Sequence, residues 1–218
     1  MGAPSVSPTE ERLQQSYALD RLWRETMGTL GGDTKETPLR AVVEVLEATG
    51  TAYAVIGGVA MQLHSREPRT TLDIDLAVRR FTDIPRDALI AAGFVHEGRF
   101  AHSDNWRAPG SGPPAQRVSV QFSAEDAGLV DAVARAQLLR AGDLALRVAT
   151  ASDLLVLKLA AAEDRARRPS KRRQDLMDVV TLTEEYPQAA AAIGGLAHRV
   201  ERLTATLMTL GRDRGPER

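Results

Sequence analysis

The sequence predicts a mixed α/β fold of the α+β kind, in which a small mixed sheet is covered by helices and followed by a helical C-terminal part. Three observations predict it. A short apolar run breaks at a glycine pair and passes into a helical pattern; an alternating segment carries two aspartates; and helical periodicity dominates the chain beyond residue 150.

In chain order, Ser7 to Glu10 has the spacing of a capping box, with Pro8 at the first helical position, where its missing N–H costs nothing. Leu13, Tyr17, Leu22, Trp23, Met27 and Leu30 then recur at helical spacing until Gly31-Gly32, so residues 1–33 read as an N-terminal helical extension that packs on the main body. The core spans 34–150. It opens with a helix signalled by Thr37-Pro38, continued by Val42, Val43 and Leu46 and stopped at Gly50. Ala52 to Ile56 is a short apolar strand, Gly57-Gly58 a turn, and Val59 to Arg66 a helix. Leu72 to Val78 alternates, which puts Leu72, Ile74 and Leu76 on one face and Asp73 and Asp75 on the other. Residues 83–92 read as a helix, Phe94 to His96 as a short strand, Pro109 to Pro114 as a loop, and Arg117 to Phe122 as a strand. A helix over 126–139 and a strand over Leu144 to Val148 close the core. The helical part, 151–218, contains helices at 151–167, 173–185 and 188–209 and a frayed tail from Gly211.

Composition narrows the classes of function. The formal charge of -1, from 28 basic and 29 acidic side chains in 218 residues, provides no global field to draw the protein onto nucleic acid or membrane. The absence of cysteine excludes disulfides, thiolate zinc sites and a cysteine nucleophile. No apolar stretch has the length of a membrane span or the form of a signal peptide, so a cytoplasmic protein without a membrane partner is expected. The four histidines show no ligand spacing, and no serine stands in a strand-to-helix nucleophile elbow. Trp23 and Trp106 read as packing residues.

Two carboxylates at i and i+2 on a strand repel each other, a cost that a divalent cation removes. Mg²⁺, or Mn²⁺ in its place, suits such a pair because it takes oxygen ligands and bridges to substrate phosphates. A glycine pair that leaves a strand and opens a helix lets backbone N–H groups approach those phosphates. Taken singly, Gly57-Gly58 is a tight turn and Asp73-x-Asp75 a solvated strand face. Taken together they describe a metal and nucleotide site.

Val55-Ile-Gly-Gly-Val-Ala60, followed by Arg69-x-Thr71-x-Asp73-Ile-Asp75-Leu76, resembles the opening signature of the AbiEii/AbiGii toxin-type nucleotidyltransferases. Lys158-Leu159-Ala160-Ala161 and Asp175-x-x-Asp178 resemble that family's later Lys-Leu and Lys-Asp-x-x-Asp segments, with Gln174 where the family usually has lysine. The similarity covers about residues 40–185. It implies a nucleotidyltransferase-like core that uses Mg²⁺ and a nucleoside triphosphate. Asp73 and Asp75 would be catalytic metal ligands; Gly57, Gly58, Arg69, Thr71, Lys158 and Arg165 would bind nucleotide; and Lys158 and Asp175 would assist catalysis, with the helical part closing the cleft. It also implies the toxin of a toxin–antitoxin pair, with a cognate antitoxin protein as partner and RNA, a small molecule or a protein hydroxyl as the acceptor.

On the residues alone, Leu154, Lys158, Ala161 and Arg165 form one helical stripe, so Lys158 is either a phosphate ligand or a surface lysine paired with Asp175. The strand at Val118 to Phe122 offers Ser119 and Gln121 where the wider fold often has a third carboxylate, and an amide is a poor general base. Glu125 and Asp126 are the nearest substitutes. Arg165 to Arg173, six of whose nine residues are basic, is either an exposed loop or an RNA contact. The reading that competes with catalysis is a nucleotide- or RNA-binding module whose active site has degenerated.

Overall fold

The computed structural model describes residues 7–26, 34–67, 70–110 and 112–209. The chain divides into two compact units, Met1–Thr150 and Ala151–Arg218.

The first unit holds all the strands among the described residues. Helix α1 (Pro8–Thr26) begins as its capping box requires, with the Glu10 amide donating to Ser7 Oγ at 3.2 Å. Its inward face is Leu13, Ser16, Tyr17 and Asp20, whereas Leu22 and Trp23 are exposed, which corrects the expectation that Trp23 packs. The proposed stop at Gly31-Gly32 lies outside the described residues. Helix α2 (Glu36–Ala48) buries Leu39, Val42, Val43 and Leu46, and the chain then enters β1 (Tyr53–Ile56) and α3 (Gly57–His64). Strand β2 (Ile74–Val78), α4 (Arg86–Ala91), β3 (Val95–Arg99), β4 (Asp104–Arg107), β5 (Ser119–Ser123), α5 (Ala127–Ala134), β6 (Gln137–Ala141) and β7 (Leu144–Val148) complete the unit.

The sheet is mixed, in the order β3-β4-β5-β2-β1-β7-β6. Strand β1 runs antiparallel to β2 and parallel to β7, and β2 runs parallel to β5. The paired central strands β1, β2 and β5 are almost wholly buried. Helices α3 and α5 pack on β1 and β2, and α1 packs on α3 and β6.

Two elements depart from the sequence reading for identifiable reasons. The helix expected over 126–139 stops at Ala134, because Gly142, at φ +59°, turns 137–148 into a hairpin in which Ala141 pairs with Leu144. Strand β4 was not expected, because its inward positions are a carboxylate and an indole. Asp104 and Trp106 are fully buried, and the Asp104 carboxylate accepts from Trp106 Nε1 at 2.7 Å and is also paired with Arg86 and His96.

The second unit contains α6 (Ala151–Glu163), α7 (Pro169–Glu185), α8 (Pro187–Ala191) and α9 (Leu196–Thr209). The single helix expected over 188–209 is two, interrupted at Gly194-Gly195, and Pro169 starts α7 at its first position. Among the described residues no helix is long and apolar enough to cross a membrane.

Candidate functional site

Strand β1 is apolar throughout and ends at Ile56, after which Gly57 takes φ +60°, a conformation that side chains disfavour. A Cβ on Gly57 would lie 2.0 Å from Asp75 Oδ2, and one on Gly58 would lie 2.4 Å from Thr71 Oγ1. Both glycines are therefore sterically required. The Asp75 carboxylate rests on the turn in the space left by one missing side chain, and the Thr71 hydroxyl occupies the space left by the other.

Register explains how Asp75 reaches that position. It pairs with Ile56 across β1 and β2, and with Gln121 on the other side of β2. Gln121 pairs in turn with Asn105 of β4, so one row across the sheet reads Asp75, Gln121, Asn105 on a shared face. Sequence reading found Asp75 and Gln121 but missed Asn105, because nothing in Asp104–Arg107 announces a strand.

Asp73 differs from the expectation in one respect. The strand begins at Ile74, so Asp73 stands just ahead of it, half-buried like Asp75, and Leu72 is exposed rather than part of the core. The segment from Thr71 to Asp73 is fixed by side chains instead of a ladder. Thr71 Oγ1 donates to the Asp73 carbonyl at 3.5 Å, and Lys35 Nζ donates to the Thr71 carbonyl at 3.1 Å. Lys35 is buried and ion-paired with both carboxylate oxygens of buried Asp20 at 2.8 Å. Burial pushes the Asp20 carboxyl up from its ordinary pKa and the Lys35 ammonium down, each move opposed by the pairing. This anchor lies outside any motif, and its only sequence signal is a lysine just ahead of the α2 pattern. Arg69 lies outside the described residues.

The other predicted residues lie in the second unit. Lys158 Nζ meets Asp175 Oδ1 at 2.9 Å and Asp178 Oδ2 at 2.7 Å, and Arg167 Nε meets Asp175 Oδ2 at 3.2 Å. The carboxylates of Asp175 and Asp178 are buried and the lysine nearly so, giving two anions matched by two cations. Arg165 is off the expected stripe, because α6 ends at Glu163 and leaves it exposed in the following turn.

The basic run is divided between structure and surface. Arg172 is buried and donates to the Ala162 carbonyl at 2.8 Å, closing the end of α6, while Arg173 donates to the Leu207 carbonyl at 3.0 Å. Arg165, Arg168 and Lys171 remain exposed. His64 is buried and bonded through Nε2 to the Ala149 carbonyl at 2.7 Å, a structural role. Among the described residues no third His, Cys, Asp or Glu joins Asp73 and Asp75 as a ligand group.

Similarity to known proteins bears on the family and the fold. The family model described as nucleotidyl transferase AbiEii toxin, type IV TA system, matches residues 40–208. The crystal structure of an antigenic nucleotidyltransferase-like protein from Paracoccidioides brasiliensis superposes with a TM-score of 0.51 at 19% identity, covering 80% of this chain and 89% of that one. JHP933 from Helicobacter pylori has a TM-score of 0.43 at 13% identity, covering 95% of this chain and 97% of its own. No curated protein matches the chain at a significant level.

Proposed function

The chain belongs to the AbiEii nucleotidyl transferase toxin family, and from that premise we propose that it moves a nucleoside monophosphate from a nucleoside triphosphate to an acceptor hydroxyl, with Mg²⁺ or Mn²⁺ as cofactor. The observation that carries this reading is the interlock of Gly57 and Gly58 with Asp75 and Thr71. A glycine turn at the start of a helix suits phosphate oxygens, and a carboxylate held against that turn would offer oxygen to a divalent cation.

The donor set fits the metal. Asp73 and Asp75 would hold the cation through their carboxylate oxygens, the kind of donor that Mg²⁺ prefers. When bound, the cation supplies charge neutralisation on the phosphates. The chain's own residues position the rest. Gly57 and Gly58 seat phosphate, Asp73 and Asp75 hold oxygen ligands at fixed points, and the Lys35 anchor keeps the segment before β2 in place. The acceptor oxygen forms a bond to the α-phosphorus as the bond to the departing pyrophosphate breaks, and the hydroxyl proton passes to solvent. Such chemistry rests mainly on positioning and electrostatics.

We also propose RNA as the acceptor, supported by the exposed cations Arg165, Arg168 and Lys171, with Lys158 binding nucleotide and Asp175 assisting catalysis. A toxin role with a cognate antitoxin follows the family. A second reading, a binding module without turnover, is favoured by one observation: neutral Gln121 stands in register with Asp75.

One experiment tests both. The parent, Asp73→Asn and Asp75→Asn are unfolded thermally with and without Mg²⁺ and each triphosphate, and pyrophosphate release is followed in the presence of total RNA. The expected result is a ligand-induced rise in Tm and pyrophosphate release for the parent alone, with the metal-free variants within about 1 kcal/mol of it. Binding without release establishes the module. A parent that shows no shift with any triphosphate refutes the site.

A further inference from the structure

In the Asp75–Gln121–Asn105 row, the two amides belong to no interaction used so far, and the Oδ1 of Asn105 is buried without a hydrogen-bond partner. Buried polar atoms are paired in the great majority of cases, so an unpaired amide carbonyl in a strand interior needs an explanation. Its position supplies one. Asp75 stands between two different neighbours. On one side is Ile56, from which the glycine turn departs, and on the other are Gln121 and then Asn105.

Phosphoryl transfer places the attacking and leaving oxygens roughly in line across the phosphorus. With the phosphates at the glycine turn, on the β1 side of Asp75, an attacking oxygen would approach from the side of β5 and β4. We infer that Asn105 and Gln121 form the acceptor subsite, in which the unpaired Asn105 carbonyl accepts the hydrogen bond of the incoming hydroxyl and Gln121 orients it beside Asp75. This inference rests on the transfer reading given above. The amides position the hydroxyl and do not deprotonate it, since neither is a base at neutral pH. Oxygen bonds to the α-phosphorus, pyrophosphate departs with the electron pair of the broken bond, and the proton goes to water.

A neutral subsite has a consequence that a carboxylate there would not. A charged group beside Asp75 would add to the repulsion that the cation must overcome, whereas amides select an uncharged polar group and leave the metal pair unaltered. Because Asn105 serves the substrate and not the fold, its removal moves stability and activity in opposite directions.

The test compares the parent with Asn105→Leu, which keeps the branched side-chain shape and removes the orphaned carbonyl. Total RNA is the acceptor, supplied with α-labelled triphosphates and Mg²⁺, and an RNA-free protein extract is run in parallel. The expected variant has a Tm equal to or above the parent's, an unchanged triphosphate-induced shift, and kcat/KM for RNA reduced about tenfold. Undiminished RNA labelling overturns the inference, as does a lowered Tm with transfer lost only in proportion to unfolding. Labelling of protein instead of RNA, sensitive to Asn105→Leu, keeps the subsite and replaces the acceptor. A parent that releases no pyrophosphate with any acceptor defeats the transfer reading, and the subsite with it, before the variant is measured.

Discussion

At the glycine turn, Asp75 lies where a side chain is missing; around Lys158, Asp175 and Asp178 lie where two long side chains have been brought in. The first arrangement is made by shape. Gly57 and Gly58 remove the Cβ atoms that would strike Asp75 and Thr71. The second is made by charge, with Lys158 between Asp175 and Asp178 and Arg167 closing the set. A carboxylate placed by shape owes its position to missing side chains, whereas one placed by charge owes it to the cations around it. The difference separates a place where binding is expected to add stability from a place where stability is already built in.

The largest effect expected is at the charge-built region. Lys158→Ala leaves two buried carboxylates short of a cation and should destabilise the protein by about 3 kcal/mol, as breaking a buried pair does. Denaturant unfolding checks this, and adding Asp175→Asn and Asp178→Asn to that variant should restore most of the loss. Triphosphate affinity measured on the folded fraction of Lys158→Ala then sharpens the comparison. A normal value confines Lys158 to structure, and a weakened one gives it a phosphate as well.

At the shape-built region the expected loss is somewhat smaller but functionally complete. Gly57→Ala combines an unfavourable φ with a contact on Asp75 that must give way, together about 2–3 kcal/mol. Its readout is thermal unfolding with Mg²⁺ and triphosphate, in which the ligand-induced shift should vanish. A variant that still shifts like the parent would break the comparison, because Asp75 could then move without consequence.

The smallest effect concerns acid. The Arg199 guanidinium, bonded to Glu163 at 2.8 Å, holds that carboxyl below the ordinary glutamate range. A lowered folded-state pKa means that the stabilisation is present above about pH 4.5 and lost as pH falls through the folded value. Because the pair is about one-third exposed, its contribution should stay below about 1 kcal/mol. Stability measured from pH 6 downwards, about that range, should fall less steeply for Glu163→Gln than for the parent. Equal slopes would remove the pair from the charge-built part of the fold.

The mixed α/β class, the strand–glycine–helix opening, the aspartate strand and the helical C-terminal part were all legible in the sequence. Each rests on a local pattern: apolar runs of strand length, period-two alternation, helical spacing, and glycine where no Cβ fits. The family signature was legible for the same reason, because it is short and contiguous. What no local pattern carried was decided by partners far apart in the chain. Lys35 looks like any surface lysine until Asp20 and the Thr71 carbonyl surround it, and residues 137–139 look helical until Gly142 folds them back on β7. Arg172 counted as part of a basic surface run and is instead buried against the end of α6. Asn105 became visible only when register laid it beside Gln121 and Asp75, since which residues share a row is fixed by strand pairing and not by sequence distance. The sequence by itself determined which residue types could hold a metal and phosphate; only the tertiary structure decided which of its charges were already spent on one another, because burial and pairing are properties of neighbours that the chain brings together from 15 to more than 30 residues away.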